Sequence, residues 1–251
     1  MKRLLIATTL LAASGTAWAQ DTVRLGTEGA YPPYNFVNDA GEVAGFEREF
    51  GDELCKRAGV TCSWTTNDWD SIIPNLQSGN YDVIIAGMSI TDEREAIVDF
   101  SQPYLMPVPS AYLALSKDAD LMSGPVAAQT STIQAAFVAE NGMQVVEFAT
   151  PEETVAAVKN GEAVAVLADS DYLKPIADES GGELVLLDKT ESIGGGVGMA
   201  FRSSDKELHD KFDAAIKSMK CDGTLDAMIQ KAEYFGPNSP LAWGDMGKEG
   251  C

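Results

Sequence analysis

The sequence has few of the residues that build metal and nucleophile sites. Histidine occurs once, at His209, and the four cysteines form no C-x-x-C pair. Zinc sites combine several such ligands at short spacings, so we expect no metal. The glycine-rich run at 193–202 lacks the G-x-G-x-x-G spacing of a dinucleotide site, and no Ser/His/Asp set or phosphate loop is present. We therefore expect neither a cofactor nor an enzyme.

Basic residues are also scarce. The chain has 18 Lys and Arg against 38 Asp and Glu, a formal net charge of −20. Proteins that bind nucleic acid depend on cationic contacts to phosphates, so nucleic acid is not an expected partner. The acidity fits two explanations equally well, a saline habitat and the electrostatic steering of cationic solutes.

Long apolar runs are absent. The run Leu4 to Ala13 follows Lys2 and Arg3 and precedes an Ala-Trp-Ala ending at 17–19. This pattern is typical of a secretory signal peptide, and the run is too short for a permanent membrane anchor. We predict a signal peptide at residues 1–19. Its removal would leave a net charge of 16 − 38 = −22.

One stretch, Asn80 to Phe100, places an unusual charge at a helix start. The apolar run Val83 to Ala86 predicts a buried strand, Gly87 permits a turn, and Thr91 can cap a following helix. Arg94 then falls in the first helical turn, where the helix dipole favours anions. An arginine there predicts a bound anion, and its guanidinium suits a carboxylate. The alternative is a surface ion pair with a neighbouring Asp or Glu.

This stretch, NYDVIIAGMSITDEREAIVDF, resembles the signature of the periplasmic polar amino-acid binding proteins of ABC importers. Other likenesses are G-F-E at 45–47, F-S-Q-P-Y at 100–104 and D-G-T at 222–224, so the resemblance covers nearly the whole chain after residue 19. Alternating strand and helix patterns independently predict an α/β fold.

The resemblance implies a two-lobed periplasmic binding protein fold of type II, with the ligand in the cleft and two crossings between lobes. The expected first lobe is discontinuous, at 20–107 and 199–251, and the expected second lobe is 108–198. The implied function is periplasmic capture of an amino acid by lobe closure. A monomer would deliver the ligand to the ABC permease subunits of the inner membrane.

The resemblance also implies where the two charged groups common to all amino acids would be held. The α-carboxylate would be bound by Arg94, by Thr132 at a helix start and by backbone N–H groups near Ser89. The α-ammonium would be bound by Asp169 and by the carbonyl group of Gly87. Helix capping is the alternative role of Thr132 and Asp169.

Three further residues would contact the ligand side chain, namely Glu28, Tyr31 and Trp69. An acid between two aromatic rings favours a cationic, arginine-like end group. An arginine-derived opine or a neutral polar amino acid is the alternative ligand, and a periplasmic dehydratase on the same fold is the alternative of another class. Ordinary packing is the alternative role of both rings. Glu47 would either serve the dipole of the helix it opens or stand behind a cationic ligand.

Four cysteines in an exported chain predict oxidation to disulfides. Many cationic amino-acid binders of this family carry a pair like Cys55 and Cys62, so the resemblance implies a disulfide between these two. Cys221 and Cys251 would then remain for each other, and whether they pair stays open. Free thiols are the alternative.

Overall fold

The computed structural model describes residues 22–251, so the predicted signal peptide lies outside the described residues. The elements of the first part of the chain are β1 (Thr22–Thr27), β2 (Ala30–Tyr31), β3 (Asn35–Val37), β4 (Val43–Ala44), α1 (Phe46–Ala58), β5 (Thr61–Thr66), α2 (Ile72–Gln77), β6 (Val83–Ile84), α3 (Asp92–Glu95) and β7 (Asp99–Phe100). The middle part contains β8 (Ser110–Ala114), β9 (Val126–Gln129), α4 (Ile133–Glu140), β10 (Val145–Phe148), α5 (Pro151–Lys159), β11 (Ala165–Asp169), α6 (Ser170–Glu179) and β12 (Val185–Glu191). The last part contains β13 (Ala200–Phe201), α7 (Lys206–Asp222) and α8 (Thr224–Ile229), and 3₁₀ turns cover Trp69–Ser71 and Gly244–Lys248. The predicted α/β class is confirmed.

A five-stranded sheet organises what we call the first lobe. Its order is β5-β1-β6-β13-β7, with β1 parallel to β5 and β6 and with β13 antiparallel to β6 and β7. Leu25 and Ile85 pack on one face with side chains of α1 and α7, and Ile84 packs on the other face with side chains of α2. Helices thus cover both faces, as largely parallel sheets require.

A second five-stranded sheet organises the second lobe, in the order β10-β9-β11-β8-β12. β9 is parallel to β10 and β11, and β8 is antiparallel to β11 and β12. Leu113 and Val166 face α5 and α6, and Tyr112 and Leu167 face α4. The parallel strands β9 and β11 end toward the first lobe, which directs Gln129 and Asp169 into the space between the lobes.

Two connecting segments, 101–109 and 192–199, join the sheets. Val197 pairs with both Ser89 and Leu105, so the two segments lie side by side next to the strand end of the first lobe. The predicted crossings near 107 and 198 fall within these segments. The exact lobe boundaries stay a prediction, because pairing of the strands does not define them.

The C-terminal segment 236–251, which we call the tail, lies on the first lobe. Leu241 is fully buried in the first-lobe core, and its carbonyl accepts a hydrogen bond from the Met106 N–H at 3.1 Å. Trp243 donates its indole N–H to the carbonyl of Tyr104 at 2.9 Å. Disulfides join Cys221 to Cys251 and Cys55 to Cys62. The disulfide between Cys221 and Cys251 links the tail to the end of α7.

Local signals miss some details of the stretch Asn80 to Phe100. Regular pairing of β6 ends at Ile84, two residues before the predicted end of the strand, because the chain turns at Gly87, whose φ is 61°. Thr91 caps α3 as predicted, by accepting a hydrogen bond from the Arg94 N–H, but α3 is only one turn long. Arg94 therefore lies near both ends of its helix, and the dipole argument for an anion loses force.

Candidate functional site

A cavity between the two lobes contains every ligand contact expected from the sequence. It has about 490 Å³ of space counted to its mouth, open solvent included. Strand ends of both sheets and the starts of α3, α4 and α5 surround it. The eight predicted residues lie together in its lining, namely Glu28, Tyr31, Trp69, Gly87, Ser89, Arg94, Thr132 and Asp169. Their roles toward a ligand stay a prediction.

Arg94 is held in place without a carboxylate partner. Its Nη1 donates to the Ser89 carbonyl at 2.8 Å, and its guanidinium carbon lies 5.4 Å from the centre of the Trp69 ring. No ion pair involves Arg94 among residues 22–251, so the surface-pair alternative is wrong. Burial lowers the pKa of Arg94 to about 10, partly offset by the charge of Asp169. The side chain is thus a desolvated cation at neutral pH.

Thr132 begins α4 and uses its hydroxyl group within the second lobe. Its Oγ1 accepts from the Ala135 N–H at 3.1 Å and donates to the Gln129 carbonyl at 2.6 Å. The capping role is therefore present. The preceding Ser131 has a φ of 58°, and its carbonyl accepts from the Trp69 indole N–H at 3.3 Å. That hydrogen bond joins the loop before α4 to the first lobe.

Asp169 ends β11 and sits at the N-cap position of α6, but its side chain makes no capping bond. Its Oδ1 accepts from Gln134 Nε2 at 2.9 Å, and its Oδ2 accepts from the Tyr31 hydroxyl at 2.9 Å. Burial raises the pKa of Asp169, and the Tyr31 hydrogen bond, the Arg94 charge and the Gln134 hydrogen bond oppose the rise. The carboxylate faces the cavity rather than the helix, so the capping alternative does not hold.

Glu28 lies at the end of the cavity that Gln129 closes. Gln129 Nε2 donates to Glu28 Oε1 at 2.6 Å. Burial is the main reason that the pKa of Glu28 is raised to about 7; the Gln129 hydrogen bond lowers the pKa, and the charges of Asp68 and Glu47 add to the rise. This carboxyl group is close to half ionised at neutral pH.

Tyr31 is fixed between the lobes. Its ring stacks on Tyr172 of α6 with centroids 4.3 Å apart, and its hydroxyl binds Asp169. One ring face is thus covered by protein, which leaves less of Tyr31 for stacking on a ligand than the sequence suggests. Four hydrogen bonds among the described residues join the lobes across the cavity: the Tyr31 hydroxyl to Asp169 Oδ2, the Asp169 N–H to the Tyr31 hydroxyl, Gln129 to Glu28 and Trp69 to Ser131.

Glu47 supports the cavity from behind. It is fully buried, its Oε1 accepts from the Gly87 N–H at 2.6 Å and from the Tyr104 hydroxyl, and its Oε2 accepts from Asn35 Nδ2 at 2.7 Å. Burial raises the pKa of Glu47, and these hydrogen bonds oppose the rise. The side chain therefore holds Gly87 in its positive-φ conformation and does more than serve the dipole of α1.

Sequence reasoning did not single out Gln129 and Gln134. Gln129 ends β9, and Gln134 lies in the first turn of α4, where its Nε2 also donates to Ser110 Oγ at 3.0 Å. Polar residues at the carboxyl end of a strand and in the following helix turn could have indicated them. Both amides donate to carboxylates of the cavity.

Residues 22–251 include neither a metal-binding cluster nor a helix that could span a membrane. These residues contain no group of three or more His, Cys, Asp or Glu side chains placed to hold a metal ion. None of the helices among them is long and apolar enough to cross a membrane.

The chain is similar in sequence to known binding proteins. A model of the bacterial extracellular solute-binding proteins, family 3, matches residues 23–237. The lysine/arginine/ornithine-binding periplasmic protein of Escherichia coli (strain K12) is 32% identical over 260 aligned positions, which cover 95% of this chain and 98% of that one. The L-arginine-binding protein of Pseudomonas aeruginosa is 31% identical over 236 positions, with 86% and 89% coverage.

A solved structure is closer in sequence. A periplasmic His/Glu/Gln/Arg/opine family-binding protein from Silicibacter pomeroyi, in complex with lysine, is 67% identical to this chain and superposes with a TM-score of 0.85. The match covers 87% of this chain and 99% of that one. The predicted two-lobed architecture of type II is confirmed.

Proposed function

The chain belongs to family 3 of the bacterial extracellular solute-binding proteins, and on this premise we propose that it captures a basic amino acid and delivers it to the membrane subunits of an ABC importer. Its named relatives are binding proteins for lysine, arginine and ornithine. Capture without chemical change is accordingly proposed here, in preference to catalysis.

The observation that carries the proposal is that one positive and one negative side chain line the same cavity from opposite lobes. Arg94 belongs to the first lobe and Asp169 to the second, both line the same space, and no ion pair joins either to another described residue. An α-amino acid carries a carboxylate and an ammonium group on one carbon atom. The guanidinium can bind the first group and the Asp169 carboxylate the second.

The acidic end of the cavity supports a basic side chain. Glu28 is desolvated and carries a raised pKa, so a cation beside it would recover part of the cost of burying its charge. The Trp69 ring in the same lining adds an apolar surface for the methylene groups of a long side chain. The cavity therefore supports a ligand with a third charge at the far end.

Delivery would depend on closure of the lobes. A ligand that contacts both lobes binds the closed arrangement better than an open one and shifts the population toward it. The segments 101–109 and 192–199 would act as the hinge. We place the protein in the periplasm as a monomer, where the membrane subunits would recognise the closed form.

Calorimetry and thermal melting with basic amino acids test the proposal. At a ligand concentration of about 100 times Kd, binding stabilises the fold by about 2.7 kcal/mol, so Tm should rise by about 5–10 °C. Arg94→Ala should weaken binding of every amino acid by about 2–5 kcal/mol, because it leaves the ligand carboxylate unpaired.

Arg48→Ala is the matched control, because Arg48 forms an exposed ion pair with Asp52 on α1. This variant should bind as the wild type does. Equal losses in both variants, or turnover of a prephenate-like compound by the purified protein, would contradict the proposed function.

A further inference from the structure

Gln129 is fixed by two hydrogen bonds that leave it no free amide N–H. It is 8% exposed at the end of β9. Its Nε2 donates to the Ala149 carbonyl at 3.0 Å and to Glu28 Oε1 at 2.6 Å. Both partners can only accept while Glu28 is ionised, so the nitrogen end of the amide must face them. The Ala149 contact belongs to the second lobe and holds the amide against Glu28 of the first.

This contact divides the Glu28 carboxylate into two unequal oxygens. Oε1 is engaged by Gln129, whereas Oε2 accepts no hydrogen bond from any residue in the described part of the chain. Gln129 and Glu28 line the same cavity, so a ligand in it would meet the carboxylate together with its amide partner. A ligand therefore meets one oxygen that is free and one that is shared.

The two kinds of basic amino acid differ in what they require of a carboxylate. A guanidinium presents two parallel N–H groups that fit both oxygens at once, while an ammonium is a compact charge that one oxygen can satisfy. We propose that Gln129 is a specificity-determining residue that favours ligands ending in an ammonium group, such as lysine and ornithine, over arginine. This inference rests on the proposed function, and it departs from the arginine-like end group expected from the sequence.

The opposite end of the cavity offers an internal comparison. Gln134 is 6% exposed and donates to Asp169 Oδ1 just as Gln129 donates to Glu28. Asp169 would bind the α-ammonium group, which lysine, ornithine and arginine share. Loss of the Gln134 amide should thus weaken all three ligands alike, whereas loss of the Gln129 amide should change their ratio.

Titration calorimetry of the wild type with lysine, ornithine and arginine gives the first test. Lysine should bind about tenfold more tightly than arginine, the effect of one charge-assisted hydrogen bond that the guanidinium cannot complete. Gln129→Met keeps the length of the side chain but removes the donor. In this variant the lysine-to-arginine affinity ratio should fall to about one, since both Glu28 oxygens become available to the two parallel N–H groups of the guanidinium.

Gln134→Met is the control and should leave the ratio unchanged while lowering both affinities. Wild-type protein that binds arginine as tightly as lysine overturns the inference without any variant, and so does an unchanged ratio in a folded Gln129→Met protein. Gln129→Leu repeats the test if Gln129→Met does not fold. Failure of the wild type to bind any of the three amino acids would instead count against the proposed function itself.

Discussion

The Glu28 carboxyl group changes its charge near neutral pH. Its pKa of about 7 reflects burial and the facing charges of Asp68 and Glu47, against the hydrogen bond from Gln129. A cationic ligand needs the ionised form, so affinity for lysine should rise as pH increases toward 7 and level off above it. Below pH 7 the loss approaches about tenfold per pH unit. Calorimetry between pH 5.5 and about 8.5 measures this change.

Glutamine, if it binds, provides the reference ligand for this prediction. Asp169 also has a raised pKa, but it lines the end of the cavity that would bind the groups common to all amino acids, and Asp171, whose pKa is raised to about 6, lies outside the cavity lining. Titration of these groups should change the affinities for lysine and glutamine alike. The ratio of the two affinities therefore reports the charge of Glu28. Glu28→Gln should abolish the pH dependence of that ratio and weaken lysine selectively. A flat ratio in the wild type would show that Glu28 keeps one charge state throughout.

The sequence indicates the charged residues of the cavity better than the residues that hold the cavity in place. Arg94 and Asp169 stand beside local signals, a helix cap and the end of a buried strand, so their positions could be predicted. Gln129 meets Glu28 across 101 residues of sequence, and Glu47 meets Gly87 across 40. No local pattern encodes such a meeting, because it depends on how separate elements pack.

Asp82 directly precedes β6 and connects three strands of the first lobe. Its carboxylate accepts from the backbone N–H and the guanidinium of Arg24 on β1, and from Arg202 just after β13. These partners lower the pKa of Asp82 to about 2 despite the opposing effect of burial. Asp82 thus acts as a shared clamp on β1, β6 and β13.

Removing this clamp should destabilise the fold in a pH-dependent way. The folded pKa lies below the unfolded value of about 3.8, so the stabilisation is complete above pH 5 and is lost as pH falls toward about 2. Asp82→Asn should lower the free energy of unfolding by about 1–2 kcal/mol at pH 7, allowing for screening of the half-exposed Arg24. Urea unfolding at pH 7 and at about pH 2.5 measures the two differences.

Asp178→Asn is the control for the clamp, because Asp178 pairs with Lys174 on the exposed face of α6. Such a pair is worth about 0.5 kcal/mol or less, so its loss should be small at either pH. Equal effects of the two substitutions at pH 7 would rule out a special role for Asp82.

Elements with strong local signals were predictable, and those made by pairing were not. Thr150 and Glu153 form the capping box that starts α5, as the sequence indicates. The two-residue strands β2 and β4 lie in segments with no clear strand pattern and exist because β3 lies between them. Their pairing is a tertiary effect.

For the whole molecule, the tail contributes through a disulfide that closes a long loop. Cys221 and Cys251 are 30 residues apart, whereas Cys55 and Cys62 are 7 apart. In the chain-entropy account, a disulfide that closes a longer loop stabilises the fold more. The expected stabilisation is about 3.7 kcal/mol for Cys221–Cys251 and about 2.5 kcal/mol for Cys55–Cys62. The double substitution Cys221→Ser/Cys251→Ser should therefore lower Tm by roughly 7–15 °C, more than Cys55→Ser/Cys62→Ser does.

Calorimetric melting of the two double variants in parallel makes the comparison direct. The tail variant also risks freeing Leu241 and Trp243, which increases the expected gap between them. A smaller loss for the tail variant would mean that the contacts of residues 236–251 hold without the covalent link.

The arrangement of two lobes was open to prediction because strands and helices alternate and the resemblance covers nearly the whole chain. The contacts between lobes were not. Tyr31 meets Asp169 across 138 residues, and Trp69 meets Ser131 across 62. Such contacts depend on the angle between the lobes, and no local sequence pattern encodes that angle.

The position of Trp69 makes the protein an optical reporter of its own cleft. Its indole ring lies over the Arg94 cation and in the lining of the cavity, whereas Trp64 is bonded to Asp52 and Trp243 packs against Lys220 on the first lobe. Indole emission responds to nearby charge and to the polarity of its surroundings. A ligand carboxylate that arrives at Arg94 should therefore alter the fluorescence of one tryptophan above a constant background, which permits stopped-flow recording of capture without a dye.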